Sequence, residues 1–121
     1  MLALMEKNVQ QNGLDTLVAP RVYDWGSDDV PPFPTATGKA DIVLAADCVY
    51  FEPAFPLLLQ TLKDIVGPNT TCYFCFKKRR KADMRFIRDM VRTFQVAEVD
   101  YEWKDDDRRE TIFLYEITAR K

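Results

Sequence analysis

The sequence predicts an α/β fold, with a largely parallel β-sheet covered by helices on both sides and an antiparallel hairpin at one edge. β-type apolar runs alternate with helical patterns along the chain, which is typical of strands joined by crossover helices. The last two β-type runs are separated only by a short polar stretch, which indicates a hairpin. With 121 residues, of which 47% are hydrophobic and 30% charged, the chain can form one globular domain with its own core.

The first part of the chain is predicted to form a helix, a strand, a loop and a second strand. Apolar residues recur on one helical face over residues 1–11, and Asn12-Gly13 can end that helix. Residues 16–23 form a β-type run, and the composition of residues 24–39, with Gly and several Pro, indicates a loop. Residues 40–46 are almost continuously apolar, which predicts a strand buried on both faces.

The second part is predicted to continue the alternation and to end in the hairpin. Pro53 suits the first turn of a helix whose apolar spacing continues to Val66, where Gly67-Pro68 ends it. Residues 70–76 predict a strand, and residues 81–94 predict an amphipathic helix. The last two strands are expected over residues 95–103 and 111–118, on either side of an acidic turn formed by Asp105, Asp106 and Asp107.

The composition argues against several function classes. The net charge of −2 gives no general affinity for nucleic acid, and no apolar stretch approaches the roughly 20 residues that a membrane span needs. The chain contains no histidine, which removes the usual general base and with it Ser/His and Cys/His catalysis.

The three cysteines, Cys48, Cys72 and Cys75, are expected to be free thiols, which indicates a reducing compartment such as the cytoplasm. Cys72 and Cys75 have the Cys-x-x-Cys spacing of a redox pair or of half a zinc site. Their β-type flanks favour two buried strand thiols instead, and Cys48 alone cannot complete a four-ligand zinc set. No metal site is therefore predicted.

A carboxylate and a phenol follow the apolar run 40–46 and are candidates for a ligand site. Asp47 ends that run, and Tyr50 stands three residues further along. In open α/β sheets, ligands bind outside the carboxyl ends of the strands, so these side chains are well placed to contact a substrate. The alternative is structural: Asp47 caps the following helix and Tyr50 packs on it.

A second candidate is Trp25, in the Asp24-Trp25-Gly26 segment that follows the predicted strand 16–23. An exposed Trp at the same end of the sheet offers a flat apolar wall suited to a purine ring. The alternative is an interior Trp that closes the edge of the sheet.

Four segments carry a resemblance to a known family: "LALMEKNVQQN", "VYDWG", "ADIVLAADCVYFEPAFPLLLQTLKDI" and "FCFKKRRKADMRFI". Together they resemble the seven-strand S-adenosylmethionine-dependent methyltransferases, and specifically the small protein-lysine methyltransferases called methyltransferase family 16. The segments look like the helix after the second strand of that fold, its third strand, its fourth strand and helix, and its fifth strand. The third of them contains the Asp-x-x-Tyr signature as Asp47 to Tyr50.

The resemblance implies S-adenosyl-L-methionine as cofactor and a protein carrying the target lysine as substrate, with translation elongation factors and chaperone-type proteins as substrate classes. It implies that Trp25 contacts the adenine and that Ala46 touches the cofactor. Asp47 and Tyr50 would be the catalytic pair that shapes the lysine channel. The reaction is a direct attack of a neutral amine on the methyl group, which needs alignment and exclusion of water more than a strong base.

The resemblance also implies that residues 1–121 are the C-terminal portion of a single methyltransferase domain with an incomplete Rossmann-like fold. In this family the first strand ends in a Gly-rich loop, and the second ends in an acidic residue that binds the ribose. The four glycines here are isolated and form no Gly-x-Gly pattern, and the chain begins at what resembles the helix after the second strand. We therefore expect strands 1 and 2 to be missing.

The missing strands would leave an open edge. The sheet of the family has the strand order 3-2-1-4-5-7-6, so without strands 1 and 2 the fourth strand has no neighbour on one side. Residues 40–46 would then expose backbone groups together with Ile42, Val43 and Leu44. We expect a chain that is marginally stable or prone to aggregate, with weak or absent cofactor binding and doubtful activity. The alternative function is a catalytically inactive fragment or a protein-interaction module.

The five consecutive basic residues 77–81 allow two interpretations. They could form a nuclear signal or a nucleic-acid patch. A solvated loop between a strand and a helix, which steers an acidic protein substrate, is favoured instead, and nucleic acid is an unlikely partner.

Overall fold

The computed structural model describes residues 1–27 and 40–120, and within them it forms four strands and four α-helices. The helices are α1 (Leu2–Gln11), α2 (Phe55–Ile65), α3 (Lys81–Thr93) and α4 (Lys104–Arg109). The strands are β1 (Ile42–Ala46), β2 (Thr71–Lys77), β3 (Phe94–Glu98) and β4 (Ile112–Ala119). A single 3-10 turn, Glu52–Ala54, precedes α2. The elements predicted over residues 1–11, 40–46, 70–76 and 81–94 are thus confirmed to within a few residues.

The four strands form one sheet in the order β1-β2-β4-β3. β1 and β2 are parallel, whereas β4 is antiparallel to both β2 and β3. The mixed α/β class and the antiparallel pair at one edge are confirmed, but only one of the three strand pairs is parallel, so the largely parallel sheet is wrong for the described residues. The order agrees with the one the resemblance implies for strands 4, 5, 7 and 6, while the seven-strand arrangement stays a prediction.

The strand predicted over residues 16–23 is wrong. The backbone N–H groups of Leu17 and Val18 both donate to the carbonyl of Leu14, which forms a turn, and residues 18–24 have no regular structure. A strand needs a neighbour to pair with its backbone groups, and Pro20 lacks an N–H. The β-type composition of this run is therefore not sufficient to make it a strand.

Both long helices after β1 pack on the same face of the sheet. The ring of Phe86 on α3 lies 5.3 Å from that of Phe55 on α2 and 6.0 Å from that of Phe74 on β2. The core consists of this face and its two helices, and its fully enclosed members include Leu62, Cys72, Phe74, Phe76, Phe86, Met90 and Ile117. We call this face the covered face. Helices α2 and α3 thus cover one face of the sheet, and the prediction of helices on both sides stays a prediction.

The opposite face of β1 is open. Residues alternate between the two faces of a strand, and the burial of β1 alternates accordingly. Val43 packs against the core, whereas Ile42 and Leu44 are 63% and 79% exposed. The strand is therefore not buried on both faces, and it lies at the edge of the four-stranded sheet. We call the side of Ile42, Leu44 and Ala46 the open face.

The connection between the last two strands is a helix rather than an acidic turn. Asp105, Asp106 and Asp107 form the first turn of α4, and Arg108 and Arg109 follow in its last turn. This charge order favours a helix, because carboxylates are stabilised near the N-terminus of the helix dipole and cations near its C-terminus.

The cysteines are strand and loop thiols. Cys72 is fully buried on the covered face, while Cys75, three residues along the same strand, is half-buried on the opposite face. This geometry separates the two sulfur atoms and is incompatible with a redox pair, although only Cys72 is buried as predicted. Within residues 1–27 and 40–120, no group of three or more potential metal ligands converges, and no helix is long and apolar enough to span a bilayer.

Candidate active site at the end of strand β1

Asp47 lies at the point where β1 ends and the chain leaves the sheet. Its backbone N–H still donates to the carbonyl of Cys75 on β2, at 3.1 Å. Its φ of +59° is in the left-handed region, which Asp tolerates better than most residues but which still costs conformational energy. Strained residues of this kind cluster at functional sites, and the side chain of Asp47 is 73% exposed at the rim of the sheet.

The carboxylate of Asp47 is held by an arginine from the next loop. The Nη1 and Nη2 atoms of Arg79 both lie 3.4 Å from Asp47 Oδ1. Phe51 and Ala54 occupy the N-cap positions of the 3-10 turn and of α2, and neither helix start has a side-chain cap. The structural alternative, in which Asp47 caps the following helix, is therefore wrong.

The loop that carries Arg79 is fixed by a buried carboxylate. Asp83 Oδ2 accepts hydrogen bonds from the backbone N–H groups of Arg79 and Arg80, at 2.9 and 3.1 Å. Its Oδ1 lies 3.2 Å from the guanidinium of Arg80, and the Asp83 side chain is completely inaccessible. A buried carboxylate with these partners is stable only if all of them stay in place, so Asp83 makes this part of the basic run 77–81 an ordered loop.

Sequence reasoning missed both Arg79 and Asp83. Arg79 was only one of five basic residues, and its pairing depends on the distance between two loops. Asp83 left a clearer signal, because an acidic residue at the third position of a helix is typical of a capping arrangement.

Trp25 and Tyr50 are brought together as an aromatic pair. Their ring centroids lie 6.4 Å apart with the planes tilted by 55°. Tyr50 is 59% exposed and so does not pack fully on the helix, whereas Trp25 is partly buried against the core. The two structural alternatives are therefore each correct only in part, because Tyr50 stays largely exposed and Trp25 is only partly buried.

The segment that carries Trp25 is anchored to α2 by Gly26. The backbone N–H of Gly26 donates to Thr61 Oγ1 at 2.9 Å. A Cβ atom at this position would lie 2.6 Å from Leu57 Cδ2, and the φ of +76° also favours glycine. Any other residue would force the Leu57 side chain to shift and would adopt a strained φ, so glycine is favoured at this position.

An open cleft of about 380 Å³ adjoins the aromatic pair. Its lining consists of Tyr23, Asp24, Trp25, Tyr50 and Leu57. Neither Ala46 nor Asp47 lines this cleft: Ala46 is the exposed last residue of β1, and Asp47 is paired with Arg79. The structure thus brings Trp25 and Tyr50 into contact, and it places Ala46 and Asp47 on the chain segment that leads to Tyr50.

The residues at this site offer one aromatic surface, that of Trp25, against which a flat heteroaromatic group can bind. Trp25 supplies an aromatic wall, and Ala46 is small enough for close approach at the end of β1. The rings of Trp25 and Tyr50 are already in contact, so a third ring has no room between them and would bind against an outer surface. The cleft beside the pair is also lined by Tyr23, Asp24 and Leu57.

Cys48, next to Asp47, is not an activated nucleophile. Burial raises the pKa of the Cys48 thiol, and the neighbouring carboxylate of Asp47 raises it further. Its sulfur lies 3.5 Å from the carbonyl oxygen of Ala46. A thiol that stays protonated near neutral pH does not support covalent catalysis at this position.

Comparison with known proteins identifies the chain's relatives. The family model described as "Lysine methyltransferase" matches residues 1–93. Protein-lysine N-methyltransferase EFM6 of Saccharomyces cerevisiae is 35% identical over 99% of this chain and 52% of its own length. Protein N-lysine methyltransferase METTL21A of Danio rerio is 32% identical over 99% of this chain and 53% of its own length. EEF1A lysine methyltransferase 3 of Xenopus tropicalis is 32% identical over 97% of this chain and 50% of its own length. The chain spans about half the length of these relatives.

Proposed function

Since the chain belongs to the lysine methyltransferase family, whose model matches residues 1–93, we propose that it is part of an S-adenosyl-L-methionine-dependent protein-lysine N-methyltransferase. In this proposal, residues 1–121 are the C-terminal portion of a single Rossmann-like domain. They contribute the side of the active site that faces the target lysine, together with one wall of the cofactor site. The observation that carries the proposal is the contact of Trp25 with Tyr50, which stands three residues after Asp47 and the carboxyl end of β1.

Asp47 and Tyr50 are assigned the catalytic positions that contact the substrate. The exposed carboxylate of Asp47 attracts the ammonium group of a lysine, and its present partner, Arg79, occupies the place of that cation until the substrate arrives. The Tyr50 ring can contact the lysine side chain, and its hydroxyl can accept a hydrogen bond from the amine. Both residues thereby orient the amine, whose nitrogen must lose its proton before it can react.

Trp25 and Ala46 are assigned to the cofactor. Trp25 would hold the adenine against its accessible side, and the small side chain of Ala46 would allow close approach at the end of β1. When bound, S-adenosyl-L-methionine supplies the electrophilic methyl group. The contribution of this chain is orientation and exclusion of water rather than acid–base catalysis, which is consistent with the absence of histidine.

The remaining cofactor contacts are proposed to come from outside this chain. The family's Gly-rich loop has no counterpart here, because the sequence contains no Gly-x-Gly pattern. The exposed edge of β1 is the place where a further strand would pair, and the exposed side chains of Ile42 and Leu44 would then be covered. On this basis, residues 1–121 alone bind cofactor weakly or not at all.

The proposed substrate is a protein. EEF1A is the first candidate, because one relative with 32% identity is named EEF1A lysine methyltransferase 3. Chaperone-type proteins are the second candidate class, as the family resemblance implies. We also propose a cytoplasmic location, which the three free thiols support, and neither a membrane nor a nucleic acid as partner.

The alternative proposal is a catalytically inactive fragment or a protein-interaction module with a methyltransferase-like fold. It is favoured by one observation: the cleft beside the aromatic pair is open, and neither Ala46 nor Asp47 is among its lining residues.

A chimera tests the proposal and separates it from this alternative. The part of the Danio rerio relative that precedes its matched region is fused to residues 1–121, and methylation of purified EEF1A and of a chaperone is followed by mass spectrometry. The account predicts methylation of a lysine, which Asp47→Ala with Tyr50→Phe abolishes while leaving the fold intact. A chimera that folds and binds cofactor but methylates neither protein would favour the interaction module.

A further inference from the structure

A groove on the outer side of α3 is not used by the candidate active site. It encloses about 620 Å³, and Met84, Ile87 and Val91 form its apolar floor. These residues recur at helical spacing along one side of α3, and Val91 is 45% exposed. From Lys81 to Arg92 the groove is roughly 16 Å long, enough for about three turns of a helix or five residues of an extended peptide.

Among the residues that the structure describes, those with charge at the rim of this groove are all positive. Its charged lining residues are Lys78, Lys81, Arg88 and Arg92. Arg92 pairs with Asp89 at 3.6 Å, but the other three form no ion pair with any residue that the structure describes. The arginines near the candidate active site differ, because Arg79, Arg80 and Arg85 each pair with a carboxylate. The groove is therefore a concentrated site of uncompensated charge in a chain whose net charge is −2.

We infer that this groove binds an acidic, amphipathic segment of the protein substrate. The charges fit carboxylates, and the apolar floor fits the hydrophobic side of the same segment. The groove starts at Lys78, next to the Arg79 that holds Asp47, so a docked segment would extend towards the proposed lysine site. This inference rests on the proposed function for the role of the partner as methyl acceptor.

A protein segment fits the groove better than a nucleic acid. Proteins that bind single-stranded nucleic acid without sequence preference place aromatic side chains where bases can stack, and none of the described residues that line this groove is aromatic. Its floor is aliphatic, and the net negative charge of the chain opposes association with a long polyanion.

Binding of synthetic peptides to the 121-residue chain, measured by fluorescence anisotropy without cofactor, tests the inference. The probe is a labelled peptide with Leu on one helical side and Glu on its flanks, and the comparison peptide has Gln in place of Glu. The acidic peptide is expected to bind at least about tenfold more tightly than the Gln peptide, and its affinity is expected to fall as salt rises from about 0.05 to about 0.5 M. Equal binding of both peptides would overturn the inference.

Matched variants locate the binding site. Arg88→Glu is expected to weaken binding of the acidic peptide by about tenfold or more, and Arg88→Gln by a smaller factor. Val91→Asn keeps the charges and reduces binding through the apolar floor. Lys63→Glu, in the last turn of α2 and outside the groove, changes the charge equally and should leave binding unchanged. All variants are checked by thermal melting.

Other outcomes would count against the inference. If Lys63→Glu weakened binding of the acidic peptide as much as Arg88→Glu, the effect would be one of general charge. If a single-stranded oligonucleotide bound more tightly than the acidic peptide, the groove would be a nucleic-acid site. Because no cofactor is needed, failed peptide binding does not depend on whether the chain takes part in methyl transfer. Failure of the chimera to methylate, with peptide binding intact, would instead contradict the proposed function alone.

Discussion

The covered and open faces of the sheet belong to the same four strands but differ in what they contact. On the covered face, Phe74 and Phe76 are at most 1% exposed and pack beneath α2 and α3. On the open face of β1, Leu44 is 79% exposed and Ile42 is 63% exposed. The first helix of the chain, α1, does not compensate for this, since none of its residues is buried.

This difference indicates that the stability of the fold and the completeness of the active site depend on different regions. The covered face gives the chain a dense core, and burial of apolar side chains is the main favourable term in folding. The open face and the edge of β1 carry apolar side chains and strand backbone groups of the kind that another element normally covers. The candidate active site lies at the end of β1, where the two regions meet.

The largest expected effect comes from the covered face. Phe74→Ala should lower the free energy of unfolding by about 3–5 kcal/mol, because it removes a fully buried ring and leaves a cavity. The matched truncation on the open face, Leu44→Ala, should change it by no more than about 0.5 kcal/mol. Urea denaturation of both variants measures the contrast. Similar losses for the two would show that the open face is covered in solution.

Asp83→Ala should lower the free energy of unfolding by about 3 kcal/mol. The substitution leaves the backbone N–H groups of Arg79 and Arg80 and the Arg80 guanidinium without their buried acceptor. The control is Asp89→Ala on the same helix, whose exposed ion pair with Arg92 contributes at most about 1 kcal/mol. The two variants are compared by the same denaturation experiment, and an equally small effect of Asp83→Ala would contradict the anchoring role of this carboxylate.

Alkaline pH is expected to destabilise the covered face through Cys72. Burial raises the pKa of Cys72 from its ordinary value of 9.0 to about 11. Below pH 9 the thiol is protonated in both the folded and the unfolded state, so its contribution to the free energy of unfolding is fully present. Between pH 9 and 11 the thiol of the unfolded state loses its proton first, and the free energy of unfolding falls. Thermal melts under reducing conditions over this range measure the decline. Cys72→Ala should be less stable at neutral pH but should show a shallower decline, and an unchanged slope would contradict the assignment.

The smallest change in stability is expected for Leu44→Lys on the open face. A lysine on an exposed edge strand opposes pairing with another chain while removing no buried contact. The variant should therefore aggregate more slowly than the unmodified chain at equal concentration, with a melting midpoint that hardly changes. Light scattering measures the rate. The matched variant Leu57→Lys, at an exposed position of α2, should give less protection, and equal protection by both variants would show that net charge alone causes the effect.

The elements of the covered face were predictable because local pattern and tertiary packing agree there. Apolar residues in α2 and α3 recur at helical spacing, and this spacing predicts one buried side for each helix. The β-type run of β2 likewise predicts a strand with a buried side. The strand over residues 16–23 was predicted wrongly, because a strand also depends on a partner that composition does not reveal. The acidic stretch 105–107 was assigned to a turn because the helix-dipole pattern completed by Arg108 and Arg109 was overlooked.

The side-chain pairings at the candidate site could not be predicted from the sequence. The end of an apolar strand singled out Asp47, and the proximity of Trp25 to Tyr50 agrees with a shared site. The contact of Asp47 with Arg79 joins residues that are 32 positions apart in the sequence. The spacing of apolar residues does not reveal contacts between positions so far apart. The roles of Trp25, Ala46, Asp47 and Tyr50 remain proposals that activity measurements must test.

The most direct test of the central claim is a thermal melt of the 121-residue chain with and without saturating S-adenosyl-L-methionine. The claim is that this chain holds the lysine side of a methyltransferase site and only one wall of the cofactor site. A ligand that binds only the folded state at a hundredfold excess over its dissociation constant adds about 2.7 kcal/mol and raises the midpoint. The account predicts a cooperative transition that the cofactor does not shift, and a clear upward shift would contradict it.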